Sequence, residues 1–84
     1  METHFSLFNQ INSLCYWLLS NSDYRASIIL DSENDIYSIT IKHHEVELYA
    51  TSIAGFSQRN PLFLKHELNA IASGLLNIKR SIAA

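Results

Sequence analysis

The stretch SITIKHHEVELYAT, residues 38–51, decides the fold of this chain. Apolar and polar side chains alternate on both sides of His43 and His44, a pattern typical of two half-buried strands joined by a tight turn. With the two histidines as that turn, the hairpin would have one apolar face, consisting of Tyr37, Ile39, Ile41, Val46, Leu48 and Ala50. The register would follow from this pattern, because a slip by one residue would mix the two faces.

The opposite face of the same hairpin is predicted to be polar. In this register Ile39 faces Leu48 across the hairpin, and Tyr49 points to solvent beside Thr40. Because Tyr49 would be an aromatic side chain on a wet face, we interpret it as a candidate contact for a partner protein.

Outward from the hairpin, the pattern predicts one more strand and two helices. The strand Tyr24–Leu30 precedes the turn-forming run 31–35, and the hairpin strands are Ile36–Lys42 and Val46–Thr51. A first helix is predicted over Thr3–Ser20, with Thr3 as its cap. The predicted fold class is α+β in the order α-β-β-β-α, a three-stranded antiparallel meander with both helices packed on one face.

A second helix is predicted to begin at Asn60-Pro61, where Asn caps and Pro occupies the first helical position. Apolar residues then recur at spacings of four and three, which indicates one face laid on the sheet: Leu64, Leu68, Ile71, Leu75, Ile78 and Ile82. Gly74 interrupts this helix at a cost of about 1 kcal/mol relative to Ala, and we interpret it as a site where another backbone approaches closely.

Length and composition predict one small folded domain over residues 1–84. Apolar residues are 48% and charged residues 17% of the chain, which excludes intrinsic disorder. The net charge is −2 with six Lys and Arg, so nucleic-acid binding and attraction to anionic lipid are not favoured. Cys15 is the one cysteine and is expected to be a buried thiol. Without a basic N-terminal start or a long apolar run, we expect a cytoplasmic protein with no membrane contact.

The first helix has more apolar surface than one sheet can cover. No charged residue occurs from His4 through Ser22, and the quadrant needed to face the sheet holds Leu7, Ile11, Leu14 and Leu18. The apolar surface extends beyond that quadrant, and its outer residues are the predicted partner-binding residues: Phe5, Phe8, Tyr16, Trp17 and Leu19. Self-association through this helix, docking on a different protein, or coverage by the second helix and the loop at 53–56 would each hide them.

The run His43-His44-Glu45 is the one concentration of metal-binding or proton-transferring groups. Adjacent histidines at a hairpin tip are expected to diverge, whereas zinc needs three or four converging ligands. No nucleophile or anion-stabilising group accompanies them. We therefore interpret the histidines as a turn and expect no catalytic residue, no metal site and no cofactor.

The order of elements resembles two families. It is similar to the double-stranded-RNA-binding domain, in which a basic cluster opens the second helix; residues 60–65 carry one cation, Lys65. It also resembles the HicA family of RNA-cleaving toxins, with a Gly-Ser-His-His motif. Here Lys42 precedes His43 and His44 in place of the Gly-Ser, and the chain is acidic. The resemblance is limited to the order of elements, so we assign the chain to neither family.

The function predicted from these patterns is a non-enzymatic protein–protein interaction module. The classes in keeping with it are an inhibitor, an immunity or antitoxin-like protein, an adaptor, or a secretion chaperone. We expect it to form a homodimer through the first helix, to bind another protein, or both. The alternative is a small RNA-binding or RNA-cleaving protein that uses His43 or His44 together with Lys42.

Overall fold

The chain folds in the predicted order α-β-β-β-α. The computed structural model describes residues 4–83. Its elements are α1 (His4–Asn21), β1 (Tyr24–Asp31), β2 (Ile36–His43), β3 (Val46–Ala54), a short 3-10 helix (Phe56–Gln58) and α2 (Pro61–Ala83). The predicted α+β class is confirmed, and the strands form one open antiparallel sheet in the order β1-β2-β3.

The helix ends follow local side-chain chemistry. Asn60 caps α2, because its Oδ1 accepts a hydrogen bond from the Leu62 N–H at 2.9 Å. At the end of α1, the Ser22 hydroxyl donates to the Leu18 carbonyl at 2.6 Å and accepts from the Tyr24 N–H at 3.1 Å. Ser22 therefore turns the chain directly from α1 into β1. The predicted cap of α1, Thr3, lies outside the described residues.

The core lies between the central strand and the two helices. Its buried apolar residues come from α1, β2, β3 and α2, and β1 contributes none of them. They are Leu7, Ile11, Leu14, Cys15, Leu18, Tyr37, Ile39, Ile41, Ile53, Leu64, Leu68, Ile71, Ala72 and Leu75. The predicted face of α2 is buried from Leu64 to Leu75 and half-buried at Ile78 and Ile82.

The predicted hairpin register is wrong. The two turn residues are His44 and Glu45, both with positive φ (52° and 68°), so the turn begins one residue later than predicted. His43 is the last residue of β2 and pairs with Val46. This shift alone would keep the predicted face of β3, because it changes the pairing by two residues.

A β-bulge then reverses the faces of β3. Lys42 pairs with Glu47 and Ile41 pairs with Tyr49, so Leu48 is the extra residue. Beyond the bulge, residues 49, 51 and 53 face the core, and the predicted core residues Val46, Leu48 and Ala50 are exposed. The bulge places the large side chains of Tyr49 and Ile53 under the helices, where they bury more apolar area than Leu48 and Ala50 would.

Candidate interaction surface

The two flanks of α1 have different environments. Trp17 is half-buried against the core, and the Nζ of Lys79 on α2 lies 5.1 Å from the centroid of its ring. The Trp17 flank therefore faces α2. Asn21 supports the end of this flank by donating from Nδ2 to the Trp17 carbonyl at 3.2 Å. Of the five predicted partner-binding residues on α1, Trp17 is one of two that the chain itself largely covers.

The other flank of α1 remains open to solvent. Phe5 is 79% exposed, Tyr16 is 69% exposed and Leu19 is 57% exposed. On a helical projection these residues lie about 100–160° from Leu18, which is fully buried. We call this surface, Phe5, Tyr16 and Leu19, the outer flank of α1. In the monomer, no part of residues 4–83 covers the outer flank of α1.

The strand β1 is uncovered as well. Ile28 and Leu30 pair with Ile39 and Tyr37, so they point to the same side of the sheet as the core. Nevertheless Ile28 is 36% exposed and Leu30 is 59% exposed, whereas Ile39 and Tyr37 beside them on β2 are buried. Ile29, on the opposite side of β1, is also 59% exposed.

An apolar groove of about 330 Å³ lies between α1 and β1. It is lined by Phe5, Phe8, Asn12, Ile28, Leu30 and Tyr37. Phe8, the other largely covered member of the predicted set, belongs to the floor. Its ring meets Tyr37 edge-on, with centroids 5.2 Å apart, and Phe56 at 5.3 Å.

Hydrogen bonds fix the floor of the groove in place. The Asp35 carboxylate accepts from the N–H and the hydroxyl of Ser57, both at 2.8 Å, and the Asp35 carbonyl accepts from the Phe56 N–H at 3.0 Å. These bonds join the β1–β2 turn to the 3-10 helix and hold Phe56 against Tyr37, with centroids 5.1 Å apart. The groove is therefore preformed in the monomer.

The Tyr37 side chain lines the groove with a hydroxyl that has no hydrogen-bond partner among residues 4–83. Burial, and secondarily the nearby Cys15, raises the pKa of Tyr37 to about 12. Burial also raises the pKa of the Cys15 thiol, and the predicted buried position of Cys15 is confirmed.

The predicted position of Tyr49 on the wet face is wrong. The bulge turns it toward α2, where its ring lies over Gly74. It is half-buried, and burial raises its pKa. Tyr49 is therefore not part of the exposed aromatic surface.

A second apolar area lies at the start of α2. Leu62 and Phe63 are 76% and 66% exposed. Leu62 borders a cavity of about 420 Å³ whose other lining residues are Leu7, Lys65, His66 and Asn69. With three polar residues in its lining, this cavity is less suited to an apolar partner than the groove beside β1.

The hairpin histidines do not diverge as predicted. The ring of His43 stacks on its cross-strand neighbour Tyr24, with centroids 4.2 Å apart, and the His44 ring lies 4.1 Å from that of His43. Asp23 completes a group in which one potential ligand atom from each residue lies within 4.8 Å of the others. Three nitrogen and oxygen donors could hold a borderline cation such as Zn²⁺, with solvent in the remaining position.

The geometry bears on the RNA-cleaving alternative too. Lys42 and His43 are adjacent in β2 and so point to opposite faces of the sheet. Lys42 is exposed and pairs across the hairpin with Glu47. The side chains of Lys42 and His43 therefore do not converge on one position.

The groove and Asp23 were absent from the sequence-based prediction. Alternation along β1 places Ile28 and Leu30 on the core side, but it carries no information on how far two helices extend across the sheet. Asp23 is remote in sequence from His43 and joins it through strand pairing. The usable signal is the cross-strand pairing of Tyr24 with His43, which follows when the turn is placed at residues 32–35, with Asp31 opposite Ile36.

Comparisons with protein-family models, curated proteins and solved structures find no match to this chain. Within residues 4–83, neither helix combines the length and the hydropathy that crossing a bilayer requires.

Proposed function

We propose that this protein is a non-enzymatic protein–protein interaction module that binds through the outer flank of α1 and the adjoining groove. The observation that carries the proposal is the continuity of these two surfaces. Phe5 belongs to both, and the groove extends from it to Ile28 and Leu30 on β1. Aromatic and aliphatic side chains around a preformed apolar groove are typical of residues that dominate binding energy at protein interfaces.

The physical drive is burial of apolar area. Each large apolar side chain that becomes fully buried contributes roughly 1.5–3 kcal/mol, before the entropic cost of association is subtracted. Phe5, Tyr16, Leu19 and Leu30 are each more than half exposed, so their combined burial is large enough to offset that cost in part. We propose a homodimer as the first assembly to test, with a different protein as the second.

Sedimentation velocity over a range of concentrations tests this function. The expected result is self-association that Tyr16→Asp weakens, because a carboxylate on the outer flank would have to be buried without a partner. Phe63→Asp is the matched control, since Phe63 is similarly exposed but belongs to α2. Far-ultraviolet circular dichroism of both variants checks that they are folded.

A heterologous partner would also support the proposal, under a stricter condition. A protein retained by the immobilised chain must be released by Tyr16→Asp and kept by Phe63→Asp. The proposal is contradicted by a chain that stays monomeric and whose binding of other proteins does not depend on Tyr16.

A further inference from the structure

We infer that β1 pairs antiparallel with β1 of a second copy about a twofold axis at Ile28, joining two sheets into one of six strands. This inference rests on the proposed function and names the partner and the geometry of the same surface. An antiparallel strand added at a sheet edge satisfies its free N–H and C=O groups, as in other examples of strand addition. A closed twofold assembly leaves the two outer β3 strands as its edges.

The two edges of the sheet differ in how well they are protected. The β3 edge carries Glu47 and the bulge at Leu48, two features that protect natural edge strands from pairing. The β1 edge has no bulge, and its two charged residues, Arg25 and Asp31, lie near its ends. It pairs regularly with β2 from Tyr24 to Asp31, and the segment 26–30 reads ASIIL, without charge, proline or glycine. Pairing is therefore expected at β1.

The sequence of β1 is complementary to itself in one register. When Ile28 lies opposite Ile28 of the second copy, Arg25 of each chain lies opposite Asp31 of the other. The dimer therefore has two such pairs. Both side chains lie on the face of the strand that also carries Ile29, and both are at the solvent-facing side of the sheet. Opposite charges directly across an antiparallel pair stabilise it, whereas like charges destabilise it.

Neighbouring registers lose this match. Pairing centred on Ser27 would place Arg25 opposite Ile29, and Asp31 opposite the like-charged Asp23, which lies just before the strand. Pairing centred on Ile29 would place Arg25 opposite Glu33, which lies in the turn beyond the strand. Pairing centred between two residues would place core-side residues opposite solvent-side residues, so that the two helical layers would lie on opposite sides of the joint sheet.

The Ile28 register also covers the exposed apolar surface. The twofold axis is perpendicular to the sheet, so both helical layers lie on the same side and the two grooves adjoin. Ile28 meets its own symmetry mate, and Leu30 meets Ala26 of the second copy. Phe5, which lines the groove beside β1, is thereby brought toward the interface.

Cysteine cross-linking tests the register residue by residue, in a background with Cys15→Ala so that each chain has one thiol. Residues directly opposite have Cβ atoms about 4.5–5.5 Å apart, whereas diagonal neighbours are about 7–8 Å apart. Ile28→Cys is therefore expected to form a disulfide-linked dimer with itself. Ser27→Cys and Ile29→Cys should each cross-link poorly alone and efficiently when the two variants are mixed. Ser52→Cys, an exposed position on β3, is the control that should not cross-link.

Charge variants test the same register without a cross-link. Arg25→Glu places like charges opposite each other twice per dimer, and we expect the dissociation constant to rise roughly tenfold. Adding Asp31→Asn should recover part of the loss, because the repulsion is removed while Oδ1 still accepts from the N–H groups of Glu33 and Asn34. Arg80→Glu makes the same charge change on an exposed residue of α2 and should leave dimerisation unchanged.

The failure of this inference is distinguishable from failure of the proposed function. A dimer that Tyr16→Asp weakens, but that neither links through Ile28→Cys nor responds to Arg25→Glu, overturns the β1 pairing and leaves the interaction module standing. A monomer that binds a different protein through Tyr16 likewise overturns the β1 pairing and leaves the interaction module standing. A monomer with no binding that depends on Tyr16 overturns both.

Discussion

Tyr49 lies over Gly74, such that a Cβ added to the glycine would stand 3.6 Å from Cε1 of the tyrosine ring. The close approach predicted at Gly74 is therefore made by a side chain, and the expected backbone contact is wrong. The separation is an ordinary van der Waals distance, so the glycine is not required for space. Nor does its conformation require glycine, because it lies inside the regular helix α2.

Gly74→Ala is expected to stabilise the protein by about 0.5–1 kcal/mol, because alanine lowers the conformational entropy of the unfolded chain and its methyl group fits against Tyr49. Urea denaturation followed by circular dichroism measures the change in the free energy of unfolding. Gly74→Val is the control, since its branched side chain would have to displace the ring. Destabilisation by alanine would contradict the packing described here.

The hairpin turn should respond to residues that prefer positive φ. His44 and Glu45 both occupy the left-handed region without being glycine or asparagine. The double substitution His44→Asn and Glu45→Gly installs the sequence preferred in this type of turn, and we expect a gain of about 1 kcal/mol in the free energy of unfolding. If the turn were at His43-His44, the position that the sequence pattern predicts, the same double substitution would place glycine in a strand and destabilise the protein.

Tyr37→Phe should stabilise the protein near neutral pH by about 1 kcal/mol, because it removes a buried hydroxyl that has no partner among residues 4–83. Phenylalanine keeps the ring contacts with Phe8 and Phe56. Thermal and urea unfolding of the two proteins measure the difference. A loss of stability would indicate that the hydroxyl has a partner in the assembled protein.

The same substitution has a pH signature. The pKa of Tyr37 is raised from its ordinary value of 10.0 to about 12 in the folded state, so the fold favours the neutral phenol. That contribution is fully present below pH 10 and is lost as pH rises toward 12, since the unfolded chain ionises first. The stability of the wild type should therefore fall more steeply than that of Tyr37→Phe between pH 10 and 12. Parallel curves would contradict the burial of this hydroxyl.

The donors Asp23, His43 and His44 predict one binding position for Zn²⁺ per chain, weaker than a closed four-ligand site because solvent must complete the coordination. Isothermal titration calorimetry measures the affinity, and a chelator should reverse any rise in the melting temperature. His43→Ala should abolish the binding. His66→Ala, which removes an exposed histidine from α2, should leave it intact. Equal losses in the two variants would point to adventitious binding.

Sequence periodicity was sufficient for the elements and their order, and insufficient for the register of β3. The strand VELYATSIA carries two sets of apolar residues, one on each face, so local alternation allowed either set to face inward. The choice was made by volume in the core, where Tyr49 fits against Gly74 and Ile53 lies opposite Tyr37. Such a choice depends on α2, which is remote in sequence.

The candidate surface, too, could be predicted from the sequence only in part. The excess of apolar side chains on the first helix was evident from its composition, and the exposure of Phe5, Tyr16 and Leu19 agrees with it. Composition could not separate these residues from Phe8 and Trp17, because all five lie outside the quadrant that faces the sheet. Only the packing of Phe56 and Lys79 against that helix distinguishes the covered residues from the open ones.

The sequence by itself determined the element order, the helix start at Asn60-Pro61 and the core face of α2, because these depend on side chains within one or two turns of each other. The tertiary structure decided the bulge at Leu48, the meeting of Asp23 with the hairpin histidines, and the groove beside β1. Each of these depends on which distant segments fill a limited volume, and close packing allows one solution that no local pattern encodes.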